Sequence, residues 1–389
     1  MKLIRNVVEG VKPTFEKGGR LGFLHSLFDA VDTLLFLPNT VTRRGSHIRD
    51  AVDLKRALIV VVIALIPALL FGMYNVGLQH FRAVGDVAAQ ASVWGCWWYG
   101  FVRMLPLIVV SYAVGLGIEI AFAQKRGHEV SEGYFVTGML IPLIMPIDVP
   151  LWMVALAVAF SVIFCKEVFG GSGMNVFNPA LVARAFVFFA YTPFISGDKV
   201  WIRGAGKGGE YIDGFSGATP LTQLGENAGD FLAEPKVWDW IVGTIPGSIG
   251  ETSVIAIGIG AVILLVAGVA SLRVMASVFA GGWLMGLLFN LIGGSPVMEM
   301  PAYYHLLLGG FAFGAVFMAT DPVTAAQTGW GKVIVGLLTG ALAVMIRVVN
   351  PGYPEGMMLA ILFMNAMAPL VDHTVVGFNI RRRTKLRRA

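Results

Sequence analysis

Residues 57–76, ALIVVVIALIPALLFGMYNV, carry no charged side chain. About 20 such residues suffice to cross the hydrocarbon of a bilayer as a helix. In that medium every backbone N–H and C=O must find its partner inside the protein, so an open sheet or an irregular lipid-facing loop is excluded. The pattern recurs along the chain. Apolar runs follow at about 101–123, 134–145, 151–165 and 177–195, and then at about 254–272, 274–292, 303–320, 333–349 and 357–371. The sequence therefore predicts an all-α polytopic membrane protein of about ten transmembrane helices. Only 14% of residues are charged, against about 25% in soluble chains, which argues against a soluble two-domain enzyme.

The punctuation divides the chain into a polar arm (1–55), five spans (56–195), a long polar segment (196–251), five more spans (252–372) and a basic tail (373–389). The arm contains a predicted short amphipathic helix over 23–36, of the membrane-surface kind. Arg381, Arg382, Arg383, Lys385, Arg387 and Arg388 make the tail basic. The positive-inside rule accounts for tail and arm together and puts both termini in the cytoplasm, so no nucleic-acid partner is called for. Lys125, Arg126, Lys166, Arg273 and Lys332 then fall on the same side, and the 196–251 segment falls outside. Cys96 and Cys165 lack CxxC spacing, and no metal site is predicted. Asp148-Val149-Pro150 precedes Asn178-Pro179 much as Asp321-Pro322 precedes Asn350-Pro351. Five spans separate the two copies, which points to a 5+5 inverted repeat of the kind that builds midplane sites in transporters.

Within the outer segment stands Asp213-Gly214-Phe215-Ser216-Gly217-Ala218-Thr219. Its residue types favour a turn, since Gly accepts positive φ and Ser and Asp bond their own backbone. The same stretch resembles the flavinylation motif of the membrane subunits of sodium-pumping NADH:quinone reductases and the related Rnf complexes. In those families the last Thr carries FMN through a phosphoester bond. The resemblance maps the acceptor onto Thr219, with Asp213, Ser216, Gly217 and Ala218 as motif residues.

Lys166-Glu167-Val168-Phe169-Gly170-Gly171-Ser172-Gly173-Met174-Asn175-Val176-Phe177-Asn178-Pro179-Ala180 is similar to a run in the same family. Its glycines permit irregular backbone at membrane depth, which is tolerated where protein or a cavity covers it. Asn175 and Asn178 are the expected contacts to a non-covalent flavin. Glu119, Asp321 and Asp372 lie in or beside spans, and an acid in lipid is a default site on an ion pathway; the bland alternative is an interfacial residue or a helix cap. Arg184 and Arg347 are expected to pair with acids or a flavin phosphate, and His305 to sit at an interface. Ser46 to Arg56, Gly247 to Glu251, His305 to Gly314 and Pro354 to Met358 also resemble the family, but no chemistry follows from them. No Walker loop or Rossmann fingerprint is visible, so NADH oxidation is not expected on this chain.

The resemblance covers nearly the whole chain. It implies a bacterial inner-membrane electron-transfer subunit with covalent FMN, a non-covalent riboflavin, and ubiquinone or menaquinone as substrate. Quinone is assigned to the arm and the first two spans, including Gly115 and Gly117. The A, C, D, E and F subunits of the complex are the implied partners, besides membrane lipid and Na⁺. An Rnf D subunit is the nearest alternative, and a cofactor-free channel or secondary transporter is the alternative of another class.

Overall fold

The structure is a computed structural model and describes residues 10–15, 22, 28, 42, 44–46, 54–126, 133–196, 200–204, 217–226, 228–233, 235–350 and 355–388. The amphipathic stretch 23–36, and Asp213 to Ser216 of the motif, lie outside the described residues apart from Phe28. Among the described residues five helices are long and apolar enough to cross a membrane. They are α1 (Leu54–Val84), α2 (Val93–Arg126), α9 (Leu272–Ile292), α11 (Gly329–Val349) and α12 (Gly356–Arg388). Three shorter apolar helices are α3 (Gly133–Ile144), α5 (Pro179–Ala190) and α8 (Val254–Val266). Two further apolar stretches pass from α-helix into π-helix. The first is α4 (Leu151–Phe160), continuing through Ser161–Glu167, and the second is α10 (Phe311–Phe313), continuing through Gly314–Met318. Two short helices lie in the 196–251 segment, α6 (Pro220–Glu226) and α7 (Val237–Val242). Among the described residues there is no strand.

The long helices pair through glycine. A Cβ on Gly77 would stand 2.0 Å from the Cys96 carbonyl oxygen, and one on Gly100 would stand 1.8 Å from that of Met73, so α1 and α2 touch backbone to backbone. The same reciprocal device joins α9 to α11, where Cβ atoms on Gly340 and Gly281 would meet the carbonyls of Val278 and Leu337 at 2.0 and 2.1 Å. Lipid offers no hydrophobic drive for helix association, and close packing over small residues takes its place. The interior is filled by Leu65, Met104, Leu107, Tyr134 and Ile141, while Leu70, Val109, Val262 and Leu284 are exposed. An apolar outer surface of this extent fits a multi-pass membrane protein.

The spans expected at 134–145, 177–195 and 254–272 are thus shorter helices, and at about 1.5 Å per residue none crosses about 30 Å of hydrocarbon alone. The run expected at 303–320 is broken. Tyr304–Leu307 is one helical turn, Gly309 then adopts φ +65°, and helix resumes at Phe311. His305, expected at an interface, is 0% exposed. Its ring packs towards the face of α9 that Gly286 leaves open. The last helix continues past Asp372 to Arg388 without a break, so the basic tail is helical.

Replacing Gly340 with Leu is expected to separate α9 from α11 and to cost at least about 2 kcal/mol, as overpacking of a filled contact does. A thermal denaturation series in detergent checks it, with Gly117→Leu, on an open face of α2, staying near wild type.

Candidate functional site

Thr219 begins α6. Its hydroxyl accepts from the Thr222 N–H at 3.3 Å and lies 3.0 Å from the Thr222 hydroxyl, and Pro220 follows at the first helical position. This is an N-cap, the task for which Thr before Pro is suited. Gly217 and Ala218 are buried behind it, and Gln223 Nε2 donates to the Ala218 carbonyl at 2.9 Å. Leu221 and Leu224 pack with Trp240, Met300, Tyr304 and Leu308 into a small core of their own. Thr219 is half-buried at the edge of a cavity of about 30 Å³, lined also by Ile245, Ser248, Glu251, Thr252 and Glu355.

Beneath this cavity is a charged platform. Arg184 of α5 donates to Glu251 Oε1 at 2.9 Å and bonds Glu355 Oε2, while the Arg184 and Glu251 side chains are 5% and 9% exposed. Arg347 of α11 donates to the carbonyls of His305, at 2.6 Å, and Leu308, at 3.0 Å. Gly309 is where Leu221 enters: a Cβ there would come 2.4 Å from Leu221 Cδ1, and φ +65° lies in the left-handed region. On the other side the loop before α8 is clamped to α1 and α3. Asn75 donates to the Ile245 carbonyl at 2.8 Å, Gln79 and Arg82 donate to that of Thr244 at 3.0 and 2.9 Å, and the Gly250 N–H donates to Leu143 at 2.7 Å. Arg184 thus meets the acids that the sequence leads one to expect, whereas Arg347 donates to carbonyl oxygens freed by the broken helix.

The second site is a cavity of about 250 Å³ between α1, α3, the π segment of α4, the start of α5 and the end of α10. Its polar wall includes Lys166, Ser172, Asn175, Asn178, Thr320 and Asp321. Gly170, Gly171 and Gly173 have φ of +120°, +101° and +88°, so the glycine run is irregular backbone beside a cavity, as its composition predicts. Asn178 caps α5, accepting from the Ala180 N–H at 3.0 Å and the Leu181 N–H at 3.4 Å, and its amide reaches Asp321 Oδ2 at 3.4 Å. Asp321 also accepts from the Val323 N–H and the Thr324 hydroxyl, at 3.1 and 3.2 Å. Asn175 Nδ2 is engaged with the Phe177 carbonyl at 3.0 Å.

The sequence-selected acids are not gathered at one point. Glu119 forms a buried ion pair with Lys166. Asp372 lies on α12 and accepts from the N–H groups of Gln327 (2.6 Å) and Thr328 (3.0 Å) and from the Thr328 hydroxyl (2.5 Å), which closes the N-terminus of α11. Asp321 and Asp372 therefore both serve as caps. Gly115 is filled by a neighbour, since a Cβ there would fall 1.8 Å from the Tyr134 ring, while Gly117 faces open space.

A profile of the NQR2, RnfD, RnfE family matches residues 41–381. The chain belongs to that family. Among similar proteins of this NQR2/RnfD/RnfE group is the B subunit of the Na(+)-translocating NADH-quinone reductase of Chromohalobacter salexigens, 47% identical over 98% of this chain and 96% of the relative. The B subunits of the same reductase in Pseudomonas aeruginosa and Klebsiella pneumoniae are 46% and 45% identical, each over 98% of both chains.

Family membership gives the platform added interest, because it is built from motifs that carry the resemblance but no chemistry of their own. Glu251 ends one, Glu355 is the second residue of another, and the carbonyls of His305 and Leu308 with Gly309 and Gly310 belong to a third. Neither their sequence spacing nor their composition links Glu251 to Glu355. The available signal is Arg184, an arginine inside an apolar helix that needs an acid.

Arg184→Met is expected to leave Glu251 and Glu355 without their shared counter-charge and to destabilise the protein by about 3–5 kcal/mol. Arg184→Lys is expected to recover only part of this, because one ammonium does not reproduce the planar fork. Denaturation of both variants in detergent, against wild type, measures the difference.

Proposed function

We propose that this chain is the B subunit of a sodium-translocating NADH:quinone reductase and carries two flavins, FMN esterified to Thr219 and a non-covalent riboflavin in the cavity at Asn178. What carries the reading is the match to relatives of that name along 98% of the chain, together with the D-G-F-S-G-A-T motif ending on a half-buried Thr219 above a rigid platform. The family also spans Rnf subunits, and the match to the B-subunit relatives favours the reductase over the Rnf D reading.

The residues fit both groups. Esterification forms an Oγ1–P bond at Thr219 as phosphorus loses its bond to a leaving group, and the Oγ1 proton departs with that group. The oxygen keeps lone pairs for the Thr222 N–H, so the cap survives the modification. The clamped 244–252 loop and the Arg184 platform hold the attachment point still. In the larger cavity Lys166 is the one cation among the described lining residues, and its ammonium is matched by Glu119. That suits a flavin without a phosphate. Asn175, Asn178, Ser172 and Asp321 offer donors and acceptors to the edge of a heteroaromatic ring. Bound flavins supply one- and two-electron transfer, and the protein's share is position, polarity and exclusion of water.

In this reading electrons come from the A, C, D, E and F partner subunits, of which one holds the NADH site, and leave to ubiquinone or menaquinone with coupled movement of Na⁺. Glu119, Asp321 and Asp372 are the acids proposed for the ion path. Quinone contact on α2 is assigned to the side of Gly117, since the space at Gly115 is taken. The chain lies in a bacterial inner membrane with both termini cytoplasmic and Thr219 outside, in keeping with the basic Arg381 to Arg383 at the far end of α12.

The test is flavin fluorescence of this chain after denaturing electrophoresis, with the protein produced in a host that flavinylates such motifs. The wild-type band is expected to fluoresce and the Thr219→Ala band to be dark. A dark wild-type band sinks the covalent-flavin reading and promotes the transporter alternative. The loss of the N-cap alone is expected to cost Thr219→Ala about 1 kcal/mol, too little to remove the chain from the gel.

A further inference from the structure

Lys166 occupies an unusual place. It lies in the π-helical segment Ser161–Glu167, is 3% exposed, and lines the 250 Å³ cavity. Glu119 holds it from behind. This acid belongs to α2, is 4% exposed, and does not line the cavity. The second oxygen of Glu119 has no hydrogen-bond partner among the described residues, which leaves Lys166 as its one hydrogen-bonded contact there. The ammonium also stands 5.8 Å from the centroid of the Tyr134 ring, whose hydroxyl is fixed by the Ser111 carbonyl at 2.8 Å. That ring in turn sits in the space left by Gly115. Glu167, next in sequence, faces away and pairs with Arg126 at 2.9 Å.

The arrangement is therefore a buried dipole with a defined direction, its positive end at the cavity wall and its negative end one layer behind. Removing an ion from water is expensive, and a pair of this kind is weak evidence for stability. π-helical turns interrupt regular helix at some cost and recur at functional sites. Here the wider turn delivers the ammonium to the cavity.

We propose that Lys166, oriented by Glu119, is the residue that sets the redox potential of the cavity ligand. The proposal rests on the reading that this ligand is a flavin. Lys166 offsets the negative charge that the ring system gains when it takes up two electrons and one proton, and so favours the reduced form. The electrons enter from the partner subunits and leave to quinone, as in the reaction assigned above. No bond to Lys166 forms or breaks. Glu119 acts through Lys166 and is a positioning residue that moderates the same charge.

The two halves of the pair predict opposite signs, which a packing role does not. The full chain is purified with Thr219→Ala as background, which removes the covalent flavin, and the remaining flavin is titrated spectroelectrochemically. Lys166→Met is expected to lower the equilibrium constant for reduction at least tenfold, about 30 mV for a two-electron couple. Glu119→Gln leaves the ammonium unbalanced and is expected to raise it by a similar factor. Lys166→Arg keeps the charge and is expected to stay within threefold of the background. Should Lys166→Met not accumulate, the near-isosteric Glu119→Gln still tests the sign. Potentials that shift in the same direction in Lys166→Met and Glu119→Gln, or in neither, overturn the proposal while leaving the flavin reading intact. A Thr219→Ala chain that releases no flavin on acid extraction removes the cavity-flavin reading, and this proposal with it.

Discussion

One guanidinium holds three distant parts of this chain together. Arg184 belongs to the fifth apolar segment, Glu251 to the loop that leads into α8, and Glu355 to the approach to α12. A single arginine facing two carboxylates in a buried setting is tolerable because its donors are forked and each acid receives a charge-assisted bond. Remove it and Glu251 is left buried and the half-buried Glu355 unpaired with it, so the loop, the last helix and the surface beneath Thr219 would lose their common anchor. The neighbouring Arg347 does the same for broken backbone, tying off carbonyls that the interruption at Leu308 and Gly309 takes out of helical bonding. The 196–251 segment that bears Thr219 is thus seated on side-chain chemistry, with Leu221 pressed into the gap at Gly309.

The second site obeys a different rule. Irregular backbone at membrane depth is tolerated beside a cavity, and the glycine run at 170–173 borders one through Ser172 and Gly173, with α1, α3 and the end of α10 as its other walls. The helices there are short or π-turned, and the ends so created are capped internally. Asn178 closes α5 and Asp321 closes the turn after α10, and the two caps touch. A membrane protein gains polar binding groups at its core in this way without leaving them unsatisfied when no ligand is bound.

Much of this is legible in the sequence, and the reasons differ by feature. The long helices follow from uninterrupted apolar runs, and α1, α9 and α11 contain the stretches that hydropathy marks. The shorter helices are overestimated because apolar content persists beyond the residues that are helical: Thr192 to Ile195 continues the run after α5 but turns into a 3₁₀ segment. The break at Leu308 to Gly310 carries a Gly-Gly signal, yet the apolar stretch around it reads as one span. At the sites, the irregular glycine run and Asn178 can be found locally, because turn chemistry and capping are local. Lys166 stands in a recognisable motif that gives it no separate role, since nothing in the sequence says that a lysine at the end of a span turns inward. Its partner Glu119 is 47 residues away and reads as an acid for an ion path. Pairings across such separations are decided by packing and are invisible to periodicity.

Helix α5 touches both sites. Its cap, Asn178, borders the large cavity, and Arg184, six residues on, supports the platform under Thr219. At about 1.5 Å per residue the two points are about 9 Å apart along the axis. That interval is a ruler made of backbone hydrogen bonds. Loops on either side can rearrange, ligands can come and go, and the spacing between the two polar centres still changes only as much as a helix stretches, which is very little. Whatever passes between them meets a barrier of nearly constant width.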